Sequence, residues 1–249
     1  MANQNSKPVA IVTGHSGTIG AAISRGLKEA GYYVVGISRQ SNRDCVDLEH
    51  LADLSMLTEH SCLSLQDSVA QCGSLKVFIH VAGVALVKRF EEVTRAEYES
   101  VLNVNLSSAV FIAQLSVKLM KASGGGVIIF ISSQVALPGC AQAFNSIYSL
   151  TKSGFNGLVR SLAVELGPQI RVNAICPGDV QSDLAQKGKK GFCAMTGVTE
   201  DEYDRQIVDR SAIKRCVEPA EIINAAHFLI SNSAMTGELL NISGGSLTS

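Results

Sequence analysis

Tyr148 and Lys152 are the residues of this sequence whose types and spacing best fit acid–base chemistry. They are four positions apart in a segment of helical pattern, so both side chains would lie on one helix face and reach one ligand. A tyrosine ordinarily loses its proton at a pKa of about 10, and a neighbouring ammonium group favours the phenolate. The pair therefore predicts that Lys152 lowers the pKa of Tyr148, so that the tyrosine exchanges a proton near neutral pH.

The segment before this pair supplies a partner hydroxyl. Residues 128–131 form the apolar run IIFI, which is typical of a buried strand, and Ser132 and Ser133 follow it directly. A serine at the end of this strand could hold the oxygen that Tyr148 protonates. A Tyr–Lys pair also arises by chance, as a half-buried ring beside a solvated amine, so the surrounding chain must decide between the two interpretations.

The composition indicates one globular domain. The chain has 249 residues, 46% of them hydrophobic, which is enough for one substantial core over residues 1–249. Its formal net charge of −1 gives no electrostatic reason to bind nucleic acid or an anionic membrane. Seven cysteines, odd in number and without a CxxC pair, predict reduced thiols and no metal site. The N-terminus lacks a secretion signal and no apolar run approaches about 18 residues, so we expect a soluble, cytoplasmic protein.

A glycine-rich turn opens the first strand–helix unit. Residues 8–13 predict a strand, residues 14–20 read GHSGTIG, and a helical pattern follows. In a dinucleotide-binding turn, glycines let the backbone approach the pyrophosphate, which the free amides of the helix N-terminus attract. A purely structural turn is the alternative, and the position in the first strand–helix unit favours the cofactor.

The end of the second strand bears on the choice of cofactor. Residues 32–37 predict a strand followed by Ser38 and Arg39, about 20 residues beyond the glycines. An acidic residue there would bind the ribose 2′-hydroxyl of NAD, whereas an arginine accommodates the 2′-phosphate of NADP. Ser38 and Arg39 therefore favour NADP, and Arg43 could assist, although either arginine is also compatible with a solvated loop charge.

The rest of the chain alternates strands and helices. We expect an abbreviated crossover between the second and third strands, and the following strands: a third closing at Asp53 and Leu54, then 77–81, 128–131, 170–176 and 238–242. Helices are predicted at 55–71, at 94–121 as one long or two abutting helices, at 148–166 and at 219–230. The polar segment 179–215 follows a strand end, where open α/β sheets carry their substrate loops.

Two polar residues occupy apolar parts of this pattern. His80 lies in the fourth strand and is interpreted as a packed residue and not a ligand. Asn105 lies in the apolar sequence SVLNVNLSSAVFIA, together with Asn103. A buried amide must find hydrogen-bond partners, either at a functional centre or within the core, and the pattern leaves both open.

These stretches follow, in order and over nearly the whole chain, the pattern of the short-chain dehydrogenase/reductase family, which the sequence resembles in its short single-domain, 3-oxoacyl-reductase-like form. The matching motifs are TGHSGTIG, Asp53, HVAG, PGDVQS and ELLNISGG. The family's catalytic residues fall on Ser133, Tyr148, Lys152 and Asn105. Its cofactor contacts fall on Gly14, Ser16, Gly17, Thr18, Ile19, Gly20, Ser38, Arg39, Asp53, Leu54, Ala82, Gly83, Pro177, Gly178, Val180 and Ser182, with Tyr148 and Lys152 again.

The resemblance implies a doubly wound Rossmann fold, with a central parallel sheet of about seven strands and helices on both faces. It also implies a role for each catalytic residue. Tyr148 would be the general acid or base, Ser133 would orient the substrate carbonyl, and Lys152 would bind the nicotinamide ribose. Asn105 would hold a water in the proton relay, and Val180 would meet the carboxamide. The long helices predicted at 94–121 and 148–166 would form a homotetramer.

Four positions depart from the family pattern. Thr18 replaces a glycine of TGxxxGxG, although Gly14, Gly17 and Gly20 fit TGxxGxxG, and the loop HVAG replaces NNAG and loses two amides that tie strands together. Ser133 and Tyr148 are fifteen residues apart, about two more than expected, so Ser132 remains an alternative. Ser182 replaces a threonine and keeps the hydroxyl.

The function expected from this likeness is reversible hydride transfer between NADP(H) and a carbonyl or secondary alcohol, in the manner of a ketoreductase. One alternative is an NAD(H)-dependent alcohol dehydrogenase that works in the oxidising direction. Another is a cofactor-binding protein whose chemistry has lapsed, which Thr18 and Val81 would favour. The substrate stays open: the lysines near 187–190 could meet a phosphorylated carrier, or they could be ordinary solvated charges.

Overall fold

Seven parallel strands form one sheet in a computed structural model that describes residues 7–246. The strands are β1 (Val9–Thr13), β2 (Tyr33–Ser38), β3 (Leu48–Leu51), β4 (Leu75–His80), β5 (Gly126–Ile131), β6 (Ile170–Pro177) and β7 (Leu239–Ile242). Their order across the sheet is β3-β2-β1-β4-β5-β6-β7. The order reverses between β1 and β4, so the carboxyl ends of these two strands border the crevice in which open α/β sheets bind ligands.

Helices cover both faces of the sheet. They are α1 (Thr18–Glu29), α2 (Glu59–Cys72), α3 (Arg95–Leu102), α4 (Ser108–Ala122), α5 (Ser146–Leu166), α6 (Asp183–Thr196), α7 (Glu200–Arg210) and α8 (Pro219–Ser231). Because alternate residues of a strand point to opposite faces, Ile128 and Phe130 of β5 pack with α4 and α5, whereas Ile129 packs with α1 and α8. The predicted doubly wound fold with about seven parallel strands is confirmed.

The third strand was predicted too late in the chain. It ends at Leu51, and Asp53 instead caps the short 3₁₀ turn Leu54–Met56, accepting a hydrogen bond of 2.9 Å from the Ser55 amide. The next helix begins at Glu59 because the Thr58 hydroxyl caps it by accepting from the Ser61 amide at 3.2 Å. The abbreviated crossover before β3 is confirmed as the 3₁₀ turn Arg43–Cys45.

The predicted helix at 94–121 is one continuous rod. A π-helical segment, Asn103–Ser107, joins α3 to α4 without a break. The rod Arg95–Ala122 is long and apolar enough to cross a membrane by length and composition alone, with a mean hydropathy of 1.4 over its best window. Ile112 and Met120 are fully buried in the core, so the apolar surface of α4 packs on the sheet as in a core helix.

The polar segment 179–215 is mostly helical. Ser182 caps α6 by accepting from the Ala185 amide at 3.2 Å, and Thr199 caps α7 by accepting from the Glu202 amide at 3.2 Å. The two helices stand beyond the carboxyl end of β6, beside the crevice.

Candidate active site

The glycine turn between β1 and α1 is built around close backbone contacts. Gly14 has a φ of +69°, and a Cβ there would lie 2.9 Å from the Ala82 backbone. A Cβ on Gly20 would lie 2.0 Å from the Gly14 carbonyl oxygen, so only glycine fits at either position. Thr18 is exposed at the first position of α1, where its side chain does not obstruct the turn.

A cleft of about 450 Å³ runs from this turn across the ends of β2 and β4. Of the positions expected to bind the cofactor, those lining the cleft are Gly14, Ser16, Gly17, Thr18, Ile19, Gly20, Ser38, Arg39, Asp53, Leu54, Ala82, Gly83 and Ser182. The structure thus brings together residues from five separate stretches of sequence. Arg39 is exposed, and its charge lowers the pKa of Asp53, after the larger effect of the hydrogen bonds from Ser55.

Arg43 lies outside the residues that line this cleft. Its Nε is 3.5 Å from Oε2 of Glu49, and its side chain is 84% exposed. Arg39 is therefore the arginine that faces the cleft, and the expectation that Arg43 assists it has no support in the geometry.

A buried histidine that the sequence analysis missed ties the glycine turn to β3. Nε2 of His15 donates to Oε1 of Glu49 at 2.9 Å, and Glu49 also accepts from the Asn42 amide and the Ser41 hydroxyl, each at 2.7 Å. Burial would raise the pKa of Glu49, but the hydrogen bonds from Asn42, Ser41 and His15 outweigh it and lower that pKa to about 2. This carboxylate fixes the loop that follows Arg39 against the turn.

Gly36 on β2 makes room for this histidine. A Cβ on Gly36 would lie 2.6 Å from Cγ of His15, which is too close for any side chain. A histidine inside the turn, a glycine inside a strand and a glutamate in the third strand were the available signals, but only the fold shows that they meet.

The loop HVAG compensates for its two missing amides through Thr13. The Thr13 Oγ1 accepts from the backbone amides of Val81 at 3.1 Å and Ala82 at 3.2 Å. Its hydroxyl donates to Nδ1 of His80, 2.9 Å away. Burial, followed by the charge of Lys152, lowers the pKa of His80 to about 3, so the ring is neutral. The prediction that His80 is a packed strand residue is confirmed.

Asn105 lies in the π-helical segment, fully buried, and fastens the same loop. Its Oδ1 accepts from the Val84 amide at 2.8 Å, and its Nδ2 donates to the Val84 carbonyl at 3.0 Å and to Thr151 Oγ1 at 3.1 Å. The side-chain amide of Asn105 therefore pairs with both the N–H and the C=O of Val84, as a neighbouring backbone would. The amide is thus satisfied within the core, and its Oδ1 lies near Gly83, although Asn105 is not among the residues that line the cleft or the cavity beside it.

The two serines at the end of β5 have different surroundings. Ser132 is buried, and its Oγ donates to the Lys152 carbonyl oxygen at 3.0 Å, which ties β5 to α5. The Ser133 hydroxyl interacts with the Tyr148 phenol and lowers its pKa. Both serines line the cavity that contains Tyr148, and Ser133 is the one whose hydroxyl interacts with the phenol.

Lys152 and Tyr148 meet as the helix spacing predicts. The Nζ of Lys152 donates to the Ile131 carbonyl at 2.7 Å and lies 5.5 Å from the centre of the Tyr148 ring. Burial lowers the pKa of Lys152 to about 8. Burial raises the pKa of Tyr148 to about 12, opposed by Ser133 and reinforced by the charge of Asp179. The pKa of Tyr148 thus lies above its ordinary value, opposite to the expected net direction, because desolvation of the phenolate dominates.

A second cavity of about 470 Å³ adjoins the cleft and contains this pair. The expected site residues that line it are Ser133, Tyr148, Lys152, Pro177, Gly178, Val180 and Ser182. Ile19, Val81, Gly83 and Leu184 line both spaces, so cleft and cavity form one continuous groove over the crevice. A long ligand in the cleft could therefore place one end beside Tyr148.

Known proteins are similar to this chain over nearly its whole length. A family model described as enoyl-(acyl carrier protein) reductase matches residues 14–246. L-xylulose reductase of Mesocricetus auratus is 30% identical over 248 residues, covering 96% of each chain. A 3-oxoacyl-[acyl-carrier-protein] reductase of Aquifex aeolicus is 30% identical over 251 residues, covering 95% of this chain and 96% of the relative. The chain belongs to the short-chain dehydrogenase/reductase family.

A solved structure of this family gives the same result. The crystal structure of an actinorhodin polyketide ketoreductase with NADPH superposes with a TM-score of 0.89 at 26% identity, covering 97% of this chain and 98% of the other. This short-chain dehydrogenase/reductase is an NAD(P)-dependent oxidoreductase that acts on CH–OH or carbonyl groups.

The same cavity is lined by polar residues of this reductase that the sequence analysis did not single out. Asp179 follows Pro177-Gly178 directly, and its Oδ2 accepts from Nε2 of Gln134 at 3.3 Å. Asn145, the residue directly before α5, and Gln142 also line the cavity. An acidic residue directly after a Pro-Gly strand end was the one signal available in the sequence.

Proposed function

We propose that this enzyme is an NADPH-dependent ketoreductase that transfers hydride between the nicotinamide and a carbonyl or secondary alcohol. The observation that carries the proposal is the meeting of Ser133, Tyr148 and Lys152 in a cavity continuous with the glycine-turn cleft. A groove of this form suits a dinucleotide whose reactive end lies beside a proton donor.

The cleft fits NADPH by the chemistry of its lining. The turn at Gly14–Gly20 presents backbone where side chains are excluded, as close approach to a pyrophosphate requires. Asp53 and Leu54 line the end where adenine would lie, and Ser38 and Arg39 line the place of a ribose 2′-phosphate. NADPH would supply the hydride when bound. Pro177, Gly178, Val180 and Ser182 line the other end, where the carboxamide would be held.

Tyr148 would act as the general acid in the reducing direction. A phenol with a pKa of about 12 stays protonated at neutral pH, so it is ready to protonate the oxygen of a carbonyl that is being reduced. Ser133 would donate a hydrogen bond to that oxygen, and both hydroxyls would stabilise its developing negative charge.

Lys152 and Asn105 would support this pair. The buried ammonium group of Lys152 lies near the tyrosine ring and Gly83, where it would bind the nicotinamide ribose and favour negative charge nearby. Asn105 would hold a water of the proton relay, in addition to fixing the loop at Val84. The residue roles follow the family likeness, and the 5.5 Å between Lys152 Nζ and the centre of the Tyr148 ring supports them.

The geometry weakens both arguments for a cofactor-binding protein without catalytic activity. Thr18 is exposed at the first position of α1, and the Val81 backbone amide donates to Thr13. NAD-dependent alcohol oxidation remains the second candidate, because Arg39 is exposed and would serve equally as a solvated charge.

The proposal includes the cellular compartment and the oligomeric state of the enzyme. Seven free cysteines support a reducing, cytoplasmic compartment. Phe111 on α4, with Leu150 and Val164 on α5, are exposed apolar residues, and Val164 is 86% exposed. They support a homotetramer built on these helices.

The test is a fluorescence titration with NADPH and, in parallel, NADH, followed by turnover measurements on Tyr148→Phe. NADPH is expected to bind more tightly than NADH, and the variant should lose turnover by at least about 10²-fold while its NADPH affinity is kept. Tyr98→Phe, on α3 and outside both cavities, is the matched control. Equal binding of the two nucleotides would favour the NAD-dependent candidate, and undiminished turnover of Tyr148→Phe would refute the assigned acid.

A further inference from the structure

The loop between β2 and β3 closes around one buried carboxylate, that of Glu49, whose side chain is 6% exposed. Its Oε1 accepts from the Asn42 amide at 2.7 Å and from Nε2 of His15 at 2.9 Å. Its Oε2 accepts from the Ser41 hydroxyl at 2.7 Å. Two of these donors belong to the loop and one to the glycine turn, so the carboxylate holds the two segments in one geometry.

A buried thiol joins the same two segments. Cys45 is fully buried, and its Sγ lies 3.1 Å from the Asn42 carbonyl oxygen and 3.5 Å from the His15 carbonyl oxygen. Burial raises the pKa of this thiol, so at neutral pH it keeps the proton that it donates. The loop is therefore tied to the glycine turn at two places, Glu49 and Cys45.

Both tied segments border the cofactor cleft, although Glu49 is not among the residues that line it. Gly14 and Ser16, which flank His15, line the cleft at the glycine turn, and Arg39 lines it at the end of β2. Arg39 is exposed and forms no ion pair within residues 7–246. The position of its guanidinium group therefore depends on the backbone that follows it, which is the loop held by Glu49.

The charge of Glu49 does not itself favour a 2′-phosphate. The carboxylate is ionised, with a pKa of about 2 that the hydrogen bonds from Asn42, Ser41 and His15 maintain against burial. Arg43, 3.5 Å away, is 84% exposed, and an ion pair screened by solvent in this way adds little. Glu49 can therefore favour NADPH through the position of Arg39 and not through its own electric field.

We propose that Glu49 is a positioning residue for cofactor selectivity, which holds the backbone after Arg39 so that the guanidinium group stays at the place of a 2′-phosphate. The inference rests on the proposed use of NADPH and adds to it a residue from outside the cleft. A loop that is ordered before the nucleotide arrives loses less conformational freedom on binding, which raises affinity. NADH has no 2′-phosphate and gains nothing from the placement of Arg39.

The first experiment measures the dissociation constants of NADPH and NADH for Glu49→Gln by fluorescence titration. Glutamine keeps the size of the side chain, but its NH₂ group cannot accept a hydrogen bond from Ser41. NADPH binding should weaken roughly 3- to 10-fold, whereas NADH binding should change by less than about 2-fold. The direction is decisive, because a carboxylate that acted through its own field would repel the phosphate, and its removal would tighten NADPH binding.

The second experiment is a double-mutant cycle with Arg39→Ala. Selectivity is the dissociation constant of NADH divided by that of NADPH. If Glu49 acts through Arg39, Glu49→Gln should change the selectivity of the Arg39→Ala enzyme by less than about 2-fold. The kcat at saturating NADPH should also stay within about 2-fold of the wild type, because Glu49 lies outside the catalytic cavity.

Two more variants complete the design. Ser41→Ala removes one donor to the carboxylate at an exposed position, so it should lower the selectivity in the same direction and keeps the test decisive if Glu49→Gln does not fold. Asp44→Asn makes the same carboxylate-to-amide change at an exposed position of the same loop, and it should leave the selectivity as it is.

Four results would overturn the inference: tighter NADPH binding by Glu49→Gln, an equal loss of affinity for both nucleotides, an unchanged selectivity in both Glu49→Gln and Ser41→Ala, or a selectivity that falls as far in the Arg39→Ala enzyme as in the wild type. In each case a wild-type preference for NADPH, and with it the proposed function, would stand. A wild-type enzyme that binds NADPH and NADH alike would instead overturn the proposed use of NADPH together with the inference.

Discussion

The substitution Lys152→Met tests whether the buried ammonium group of Lys152 destabilises the folded enzyme. Lys152 is 3% exposed, and burial lowers its pKa from 10.5 to about 8. This lowering of the pKa corresponds to about 3 kcal/mol, at about 1.4 kcal/mol per pKa unit. Holding the ammonium in the folded chain therefore destabilises the fold by about 3 kcal/mol at neutral pH.

The sign of the pH dependence follows from proton binding. Below pH 8 both the folded and the unfolded chain carry the proton on Lys152, and the destabilisation is complete. Between pH 8 and 10.5 the unfolded chain binds more protons than the folded chain, so the free energy of unfolding rises with pH. Above 10.5 neither state is protonated at this residue, and the effect has gone.

Methionine keeps much of the length of the side chain and removes its charge. It also removes the 2.7 Å hydrogen bond to the Ile131 carbonyl, at a cost of about 1–3 kcal/mol that does not depend on pH. Lys152→Met is therefore expected to be about 0–2 kcal/mol more stable than the wild type at pH 7. This difference should fall by about 2.5 kcal/mol between pH 7 and pH 10.

The assay is urea unfolding at unit steps from pH 7 to pH 10, without cofactor and at one protein concentration. In the folded chain Tyr148 and Cys176, with pKa values of about 12 and about 11, titrate above this window. In the unfolded chain they titrate alike in variant and wild type, so they cancel in the difference between the two. Lys118→Met, at an exposed position of α4, controls for the loss of a lysine. A difference between Lys152→Met and wild type that stays constant from pH 7 to pH 10 would refute the reasoning.

Two further substitutions test the role of Arg39 in the cofactor cleft and the packing of Gly36 against His15. Arg39→Ala should weaken NADPH binding about 10-fold or more in a fluorescence titration and leave NADH binding unchanged. Arg43→Ala is the control. An equal loss of affinity for both nucleotides would contradict the role of Arg39. Gly36→Ala should destabilise the fold by about 1–3 kcal/mol in urea, because its methyl group would lie 2.6 Å from the His15 ring. Gly157→Ala adds a methyl with nothing within 4 Å and should be neutral or stabilising.

The boundaries of the elements show what local patterns miss. Residues 55–71 have a helical pattern, yet the helix begins at Glu59, because Asp53 and Thr58 cap two separate turns there. The polar segment 179–215 was predicted as an insertion, and its helices became clear only from the caps at Ser182 and Thr199. Side-chain caps compete closely with continued helix, so periodicity alone does not decide where a helix starts.

The sequence by itself determined the alternation of buried strands and helices, the glycine turn and the helical spacing of Tyr148 and Lys152. These features depend on neighbours in the chain, through periodicity and backbone freedom. Only the tertiary structure shows that the Ser133 hydroxyl interacts with Tyr148 while the Ser132 hydroxyl donates to the Lys152 carbonyl, and that Asp179, Gln134 and Asn145 border one cavity. It also reversed the expected direction of the tyrosine pKa, because desolvation depends on all the segments that enclose a group and not on its spacing along one helix.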